Sequence, residues 1–434
     1  VTGAYYPVAP ARVLDTRSGL GAPKAALGAG KFIDLQATGR GGVPTVGVSA
    51  VVLNVTVTSG TASSFLTVYP TGAAKPTTSS INFPKGWTGA NSVTTGVGTG
   101  GKVRIYNGNG ATQVIADVVG FYAADSTVLP QAGPNDSDFY PITPTRWIDT
   151  RDGGEGARLG DGDYYQLGFI FDPSVNPYVR AVALNITAVS PTGTGYLSTW
   201  NGDESESSFP TTSTLNYTSG HNVPNMAIVP TSPCTAAETW CADENGNLGV
   251  KIGVINAVAG GKSTHLIVDL VGAYDNSAPG QGLRFKPITP QRITDTRSGL
   301  GYPTALGKGV TGNVTVPDSL TQAYALSTNV TAVTPTANTF LTLWPSGFDR
   351  PTASNLNPTP GQIVSNAAVV GLGADNAFNI YNLDGSTNVV VDVNGTFQPL
   401  ATVGAQAKAK AQARSTSGKG SRSGTAVNGP HRTR

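Results

Sequence analysis

Methionine occurs once in the 434-residue chain, at Met226, cysteine twice, at Cys234 and Cys241, and charged residues make up only 12%. Each scarcity excludes something. With Val1 first and a lone internal methionine, the chain reads as processed or trimmed from a longer product. Two cysteines with no histidine between or beside them cannot build a structural zinc site, whereas their closeness fits a small loop-closing disulfide and an oxidising compartment. The most apolar stretches, 48–57 and 266–271, fall well short of the roughly 18 residues a membrane-spanning helix needs. Gly 55 and Pro 30 are too many for long helices, coiled coils or bundles. The three histidines, His221, His265 and His431, have neither a Gly-x-Ser-x-Gly elbow nor metal-ligand spacing around them, so the sequence offers no enzymatic machinery.

The little charge there is lies unevenly. Lys408, Lys410, Arg414, Lys419, Arg422, Arg432 and Arg434 give residues 401–434 a charge of +7 with no acid, so the remainder carries a net −5 against the whole-chain +2. Rich in Ala, Gly and Ser and free of aromatics, the segment 400–434 reads as a disordered basic tail that could touch polyanions, or as a plain linker or export remnant. Without aromatics for base stacking, specific nucleic-acid recognition is not expected.

The strongest signal is an internal repeat. Tyr6-Pro7-Val8-Ala9-Pro10-Ala11-Arg12-Val13-Leu14-Asp15-Thr16-Arg17 returns as Tyr140-Pro141 through Arg146-Trp147-Ile148-Asp149-Thr150-Arg151, and again as Lys286-Pro287 through Arg292-Ile293-Thr294-Asp295-Thr296-Arg297, with periods of 134 and 146 residues. Such a period suits one β-sandwich per repeat and is too long for a solenoid. Further anchors recur: Asn54, Asn185 and Asn329 in Asn-x-Thr; the pairs Asn82/Asn91, Asn216/Asn225 and Asn357/Asn366, nine residues apart; and Asp117, Asp269 and Asp392 in a closing strand. Val51, Leu53, Val55 and Val57 alternate with Val52, Asn54 and Thr56, a period of two, and turn signals such as Gly108-Asn109-Gly110 punctuate similar runs. The prediction is an all-β protein of three tandem β-sandwich or jelly-roll-like domains of about eight strands each, over 1–124, 139–275 and 285–399, with a disulfide-containing insertion in the second.

These motifs resemble tandem modules widespread in secreted and surface proteins of actinobacteria. Those modules share a Pro-x-x-Pro-x-Arg-x-x-Asp-Thr-Arg opening, an Asn-Val-Thr, a Phe-Leu-Thr-Val-Tyr-Pro-like strand and a Val-Val-x-Asp-Val-x-Gly-like ending; the resemblance covers nearly all of residues 5–398. It implies export and an accessory or structural role, and brings no established activity, substrate or catalytic residue. The second repeat departs from it by its cysteine insertion and by the acidic Asp203, Glu204 and Glu206.

Asp117, Asp269 and Asp392 have apolar neighbours on both strand faces and therefore read as buried, which demands a partner. The cations repeated in every unit are Arg12 and Arg17, Arg146 and Arg151, and Arg292 and Arg297; with Asp15, Asp149 and Asp295 they form an expected structural ion network in which one arginine of each pair clamps the strand aspartate. The asparagines are expected to satisfy backbone in bends and strand ends. Phe65 and Tyr69, Tyr196 and Trp200, and Phe340 and Trp344 flank a hydroxyl on one strand face and are candidate glycan-binding aromatics, with core packing as the competing reading. No cofactor is expected; Asp161 with Asp163, and 243–247, give a faint calcium signal in the second repeat.

The composition and repeats point to a non-enzymatic extracellular, cell-surface protein, structural or adhesive, its domains strung in series and associating with copies of themselves or with a surface glycan or cell-wall polymer. A carbohydrate-binding, lectin-like module array and a virion fibre or decoration protein are the alternatives.

Overall fold

The structure, a computed structural model, describes residues 1–153, 157–205 and 209–400. Glu206 and the basic tail 401–434 lie outside the described residues. The chain is almost entirely β. In the first repeat the alternating runs become β1 (Tyr5–Asp15), β2 (Phe32–Gln36), β3 (Val48–Thr58), β4 (Ser64–Pro70), β5 (Ile81–Phe83), β6 (Gly89–Gly96), β7 (Lys102–Asn107) and β8 (Gln113–Ala123). They form two antiparallel sheets, β1-β8-β3-β6 and β2-β7-β4-β5. Successive strands alternate between the sheets except for the paired β4 and β5, the double Greek key of a jelly roll.

The second repeat supplies β9 (Asp138–Asp149), β10 (Tyr164–Phe169), β11 (Val179–Val189), β12 (Gly195–Trp200), β13 (Leu215–Tyr217), β14 (Val223–Pro230), β15 (Ser232–Pro233), β16 (Val250–Val258) and β17 (His265–Asp275). The third supplies β18 (Leu283–Asp295), β19 (Thr311–Thr315), β20 (Ala325–Val333), β21 (Leu341–Pro345), β22 (Ile363–Gly371), β23 (Ala377–Asn382) and β24 (Asn388–Pro399). Their inner sheets, β9-β17-β11-β14 and β18-β24-β20-β22, repeat the order of the first lobe and join edge to edge through the pair Phe139–Leu283. The outer sheets are β10-β16-β12-β13, with β15 added on β16, and β19-β23-β21. The Pro-x-x-Pro openings are bulges: pairing of β1 with β8 skips from Pro7 to Ala11, and of β18 with β24 from Pro287 to Gln291. Proline at these positions removes no ladder donor that the sheet needs.

The lobes are not strung out. Each inner sheet is buried on both faces. Val51, Leu53, Val55 and Val57 fill the first jelly roll, while Ala50 and Val52 face a fourth cluster shared by all three lobes. Val182 and Leu184 against Ala181 and Ala183 do the same in the second lobe. At this common axis six aromatic rings close a hexagon, alternating within and between lobes: Tyr5–Tyr122, Tyr122–Phe285, Phe285–Phe397, Phe397–Phe139, Phe139–Tyr274 and Tyr274–Tyr5, with centroids 4.3 to 5.2 Å apart. The Tyr122 and Tyr274 hydroxyls bond at 2.7 Å. Pseudo-threefold packing of this kind explains why both faces of the inner strands are apolar. No helix among the described residues is long and apolar enough to cross a membrane.

The hexagon also accounts for the glycine ending each repeat. A Cβ on Gly120 would sit 2.1 Å from the Tyr5 hydroxyl, on Gly272 2.4 Å from the Phe139 ring, and on Gly395 2.2 Å from the Phe285 ring. Gly120→Ala is expected to lower stability by about 1–3 kcal/mol through overpacking, read by chemical denaturation with near-UV circular dichroism. Gly307→Ala, whose methyl would meet nothing nearer than 3.5 Å, is expected to leave both signals unchanged.

Candidate functional site

The residues repeated in all three copies converge where the lobes meet. Arg12 lies on β1 opposite Asp117 on β8, and its Nε and Nη2 donate to Asp117 at 2.9 and 3.3 Å. Arg292 grips Asp392 at 2.8 and 3.2 Å, and Arg146 Nε donates to Asp269 at 2.5 Å. The second arginine of each motif does not reach the strand aspartate. Arg17 forks onto Asp15 at 2.9 and 2.8 Å, Arg297 onto Asp295 at 2.8 and 2.7 Å, and Arg151 onto Asp149 in the same way. The first arginine of each set bridges both carboxylates, its Nη1 lying 3.6, 3.2 and 3.4 Å from Asp15, Asp149 and Asp295.

The two carboxylates on each bridging arginine are tuned oppositely. Burial pushes Asp117, Asp269 and Asp392 up despite the arginine beside them. Bonds from Arg17 and Arg297 hold Asp15 and Asp295 down; at Asp149 burial pushes up, but the Arg151 bonds outweigh it and the group ends low.

These clamps reach beyond their own lobe. Asp392 accepts the Ser79 N–H of the first lobe at 3.2 Å, and Arg292 donates to Thr77 O at 3.4 Å. The Ser354 backbone N–H of the third lobe favours the charged form of Asp269 without completing a hydrogen bond to its Oδ2, and Arg146 donates to Thr352 O at 3.2 Å. Asp117 borders a cavity of about 20 Å³, lined also by Ser213 and Thr214 of the second lobe; that is room for about one water.

The asparagines correct the expectation of local bend-satisfying roles. Asn54 on β3 donates to Ser213 O at 2.8 Å and accepts from Asn225 Nδ2 at 2.9 Å, joining lobes one and two. Asn185 on β11 donates to Ser354 O at 2.6 Å and accepts from Asn366 at 2.9 Å, joining two and three. Asn329 on β20 donates to Ser79 O at 2.6 Å and accepts from Asn91 at 2.8 Å, joining three and one. The remaining amide oxygens of Asn225, Asn366 and Asn91 accept the backbone N–H of Ser92, Met226 and Ala367. The cycle closes on itself. Asn107 and Asn382 do hold local loops, donating to Leu27 O and Leu306 O.

The candidate glycan-binding aromatics form no shared open platform. Trp200 is 2% and Trp344 4% exposed, their indole N–H groups bonded to Asp203 O and Phe348 O, and Tyr69 is buried too. Loops after the strands fold over these rings, and Tyr164 and Phe209 pack on Trp200. Phe65 and Phe340 are half-buried against Tyr106 and Tyr381 at 6.5 and 6.1 Å, with Lys75 and Arg350 over the tyrosine rings at 4.7 and 3.7 Å. Those two tyrosines escaped the sequence reading, although Ile105-Tyr106-Asn107 and Ile380-Tyr381-Asn382 repeat the same triplet. Tyr196 alone of the six candidates is exposed.

Cys234 and Cys241 form a buried disulfide. Within its ring, Glu238 pairs with Lys251, a lysine only 5% exposed on β16, so the insertion is tied to an interior strand of the second outer sheet. Asp163 and Asp243 bind backbone N–H groups of Gly160 and of Asn245 and Asn247, and the described residues hold no cluster of three or more metal-ligating side chains.

No family model and no curated protein matches the chain. A solved structure described as "The Triple Jelly Roll Fold and Turret Assembly in an Archaeal Virus" is 11% identical over 91% of this chain and 89% of its own, with a TM-score of 0.16. A likeness that loose transfers no ligand or role.

Arg12→Ala is expected to destabilise the protein by about 3 kcal/mol, since it strands a buried carboxylate, and Arg17→Ala by under about 1 kcal/mol, since that arginine is half exposed; equal losses in urea denaturation would refute the division of labour. The acid response has two signs. The buried trio adds stability below the ordinary carboxylate value of 3.8 that is lost as pH rises through their raised folded pKa, whereas the outer trio adds stability above 3.8 that is lost as pH falls through their depressed ones. Carboxyl-carbon NMR titration should place Asp117, Asp269 and Asp392 above 3.8 and Asp15, Asp149 and Asp295 below it.

Proposed function

We propose that the chain is a non-enzymatic structural or adhesive protein of an extracellular surface, in which three jelly rolls act as one rigid three-lobed body. The observation that carries this reading is the closed asparagine cycle between the lobes. The polar residues repeated in every copy are engaged in building that body: arginines on aspartates, and Asp392 with Asn54, Asn185 and Asn329 on a neighbouring lobe's backbone. The inner sheets are withdrawn from contact with anything else, so recognition falls to the outer sheets and loops. Such a body resists extension and local opening, which suits a display or attachment element.

Export is supported by the buried disulfide, which persists in oxidising compartments, and by the motif resemblance to secreted modules. The basic tail adds a second, electrostatic means of attachment.

The test is co-sedimentation of the full chain, and of a chain ending at Leu400, with isolated bacterial cell walls, alongside analytical ultracentrifugation. The expected outcome is wall retention or self-association, with the tail's share lost as salt rises because exposed charges are screened within about 8 Å at physiological ionic strength. A monomer that binds no wall, yet hydrolyses a polysaccharide or ester at a rate abolished by changing one carboxylate, would overturn the proposal.

A further inference from the structure

The second lobe breaks the threefold pattern on its outer surface, beside the first lobe. A cleft of about 410 Å³ opens there between Thr88 of lobe one and the outer sheet of lobe two, within the range of about 300–1,000 Å³ usual for small-molecule sites. Its floor is Tyr196 on β12, 44% exposed. The cross-strand neighbours of Tyr196 are Asn216 on β13 and Ala257 on β16.

The ring is open for a reason legible in the strands. In lobe one the corresponding phenylalanine packs against Tyr106, and in lobe three against Tyr381. Ile255 takes that tyrosine's place in lobe two and belongs to the cluster of Trp200, Tyr164 and Phe209 instead. Among the described residues no aromatic ring stacks on Tyr196, and the small Ala257 beside it leaves its face open.

Polar groups rim this aromatic floor. Asp161 accepts the Val258 N–H at 3.0 Å through one oxygen, which fixes the carboxylate at the cleft's edge, and no described residue bonds the other oxygen. Thr218 brings a hydroxyl, and Asn216 an amide. The Leu-Gly-x-Gly turn carrying Asp161 holds Ala29 in lobe one and Lys308 in lobe three, and Pro84 stands in lobe one where Thr218 stands here. Only the second lobe combines a phenol ring, a carboxylate and a hydroxyl at this place.

From this arrangement we infer that the cleft binds a ring of a neutral glycan. An aromatic face takes the apolar C–H side of a pyranose, and an acceptor-only carboxylate with an adjacent amide and hydroxyl takes its O–H donors. The lining holds one acid and no base. A uronate, sulfate or phosphate would meet Asp161 unpaired, so acidic sugars are excluded by charge. The site gives a ligand class to the surface-attachment reading above and rests on it.

The test uses the full chain with cellotetraose and chitotetraose as neutral probes and tetragalacturonate as the acidic control, followed by saturation-transfer NMR and isothermal titration calorimetry. At least one neutral tetramer is expected to bind and the acidic one not. Tyr196→Ala should weaken binding at least tenfold. Ala257→Phe, which fills the cleft from the neighbouring strand, should abolish it; thermal melts matching the parent show that each variant is folded. Absence of binding by both neutral tetramers, equal binding of tetragalacturonate, or parent-like affinity in both folded variants would overturn the assignment. Cell-wall retention that survives those negative results would refute the cleft alone, whereas loss of retention as well would refute the attachment reading with it.

Discussion

Three pairs of buried amides, each joining two lobes and together joining all three, set the geometry on which the rest of this molecule depends. An apolar axis alone would tolerate rotation or sliding of one lobe against the next, because hydrophobic contact has no direction. An amide in that interface does not tolerate it: a buried donor or acceptor left without a partner costs about 1–3 kcal/mol. Asn54, Asn185 and Asn329 each donate to a neighbouring lobe's backbone and accept from its asparagine, so a small displacement leaves several groups unsatisfied together. The Arg–Asp clamps reinforce the same junctions. Asp269 and Asp392 can remain buried because an arginine from their own lobe grips each, and Asp392 also accepts a backbone N–H from the next lobe.

Much of this was legible in the sequence because a threefold repeat provides its own comparison. The period, the strand alternation and the burial of Asp117 follow from residues 1–399 alone, and jelly-roll sheets are what the structure contains. The mutual arrangement of the lobes was not legible. Periodicity identifies the two faces of β3, with Val51 and Leu53 on one and Val52 and Asn54 on the other, but both faces are apolar enough to be interior. An asparagine within such a strand reads as local satisfaction of backbone unless its partner is known, and the partners lie more than 150 residues away, as with Asn54 and Asn225. The choice between Arg12 and Arg17 was open for a similar reason: it turns on register across the bulge in β1, which composition does not encode.

The aromatic stripes show a further limit. Strand parity correctly puts Tyr196 and Trp200 on one face, yet what covers that face is decided by the loop that follows. Asp203 O takes the Trp200 indole N–H and Phe209 packs on its ring, while no described residue covers Tyr196 in the same way. A single sheet face therefore holds one packed and one open aromatic within five residues.

The departures of the second lobe follow from the closure of the other surfaces. Inner sheets locked to one another leave little freedom to vary without breaking a junction, so divergence is confined to the outer sheets and their loops. The disulfide insertion with its Glu238–Lys251 pair, the loop over Trp200 and the bared Tyr196 all lie there. A ligand recognised through these features would meet one lobe of the body rather than three equivalent faces. Attachment through the cleft would therefore be single and oriented, and avidity would have to come from association of several copies or from the basic tail.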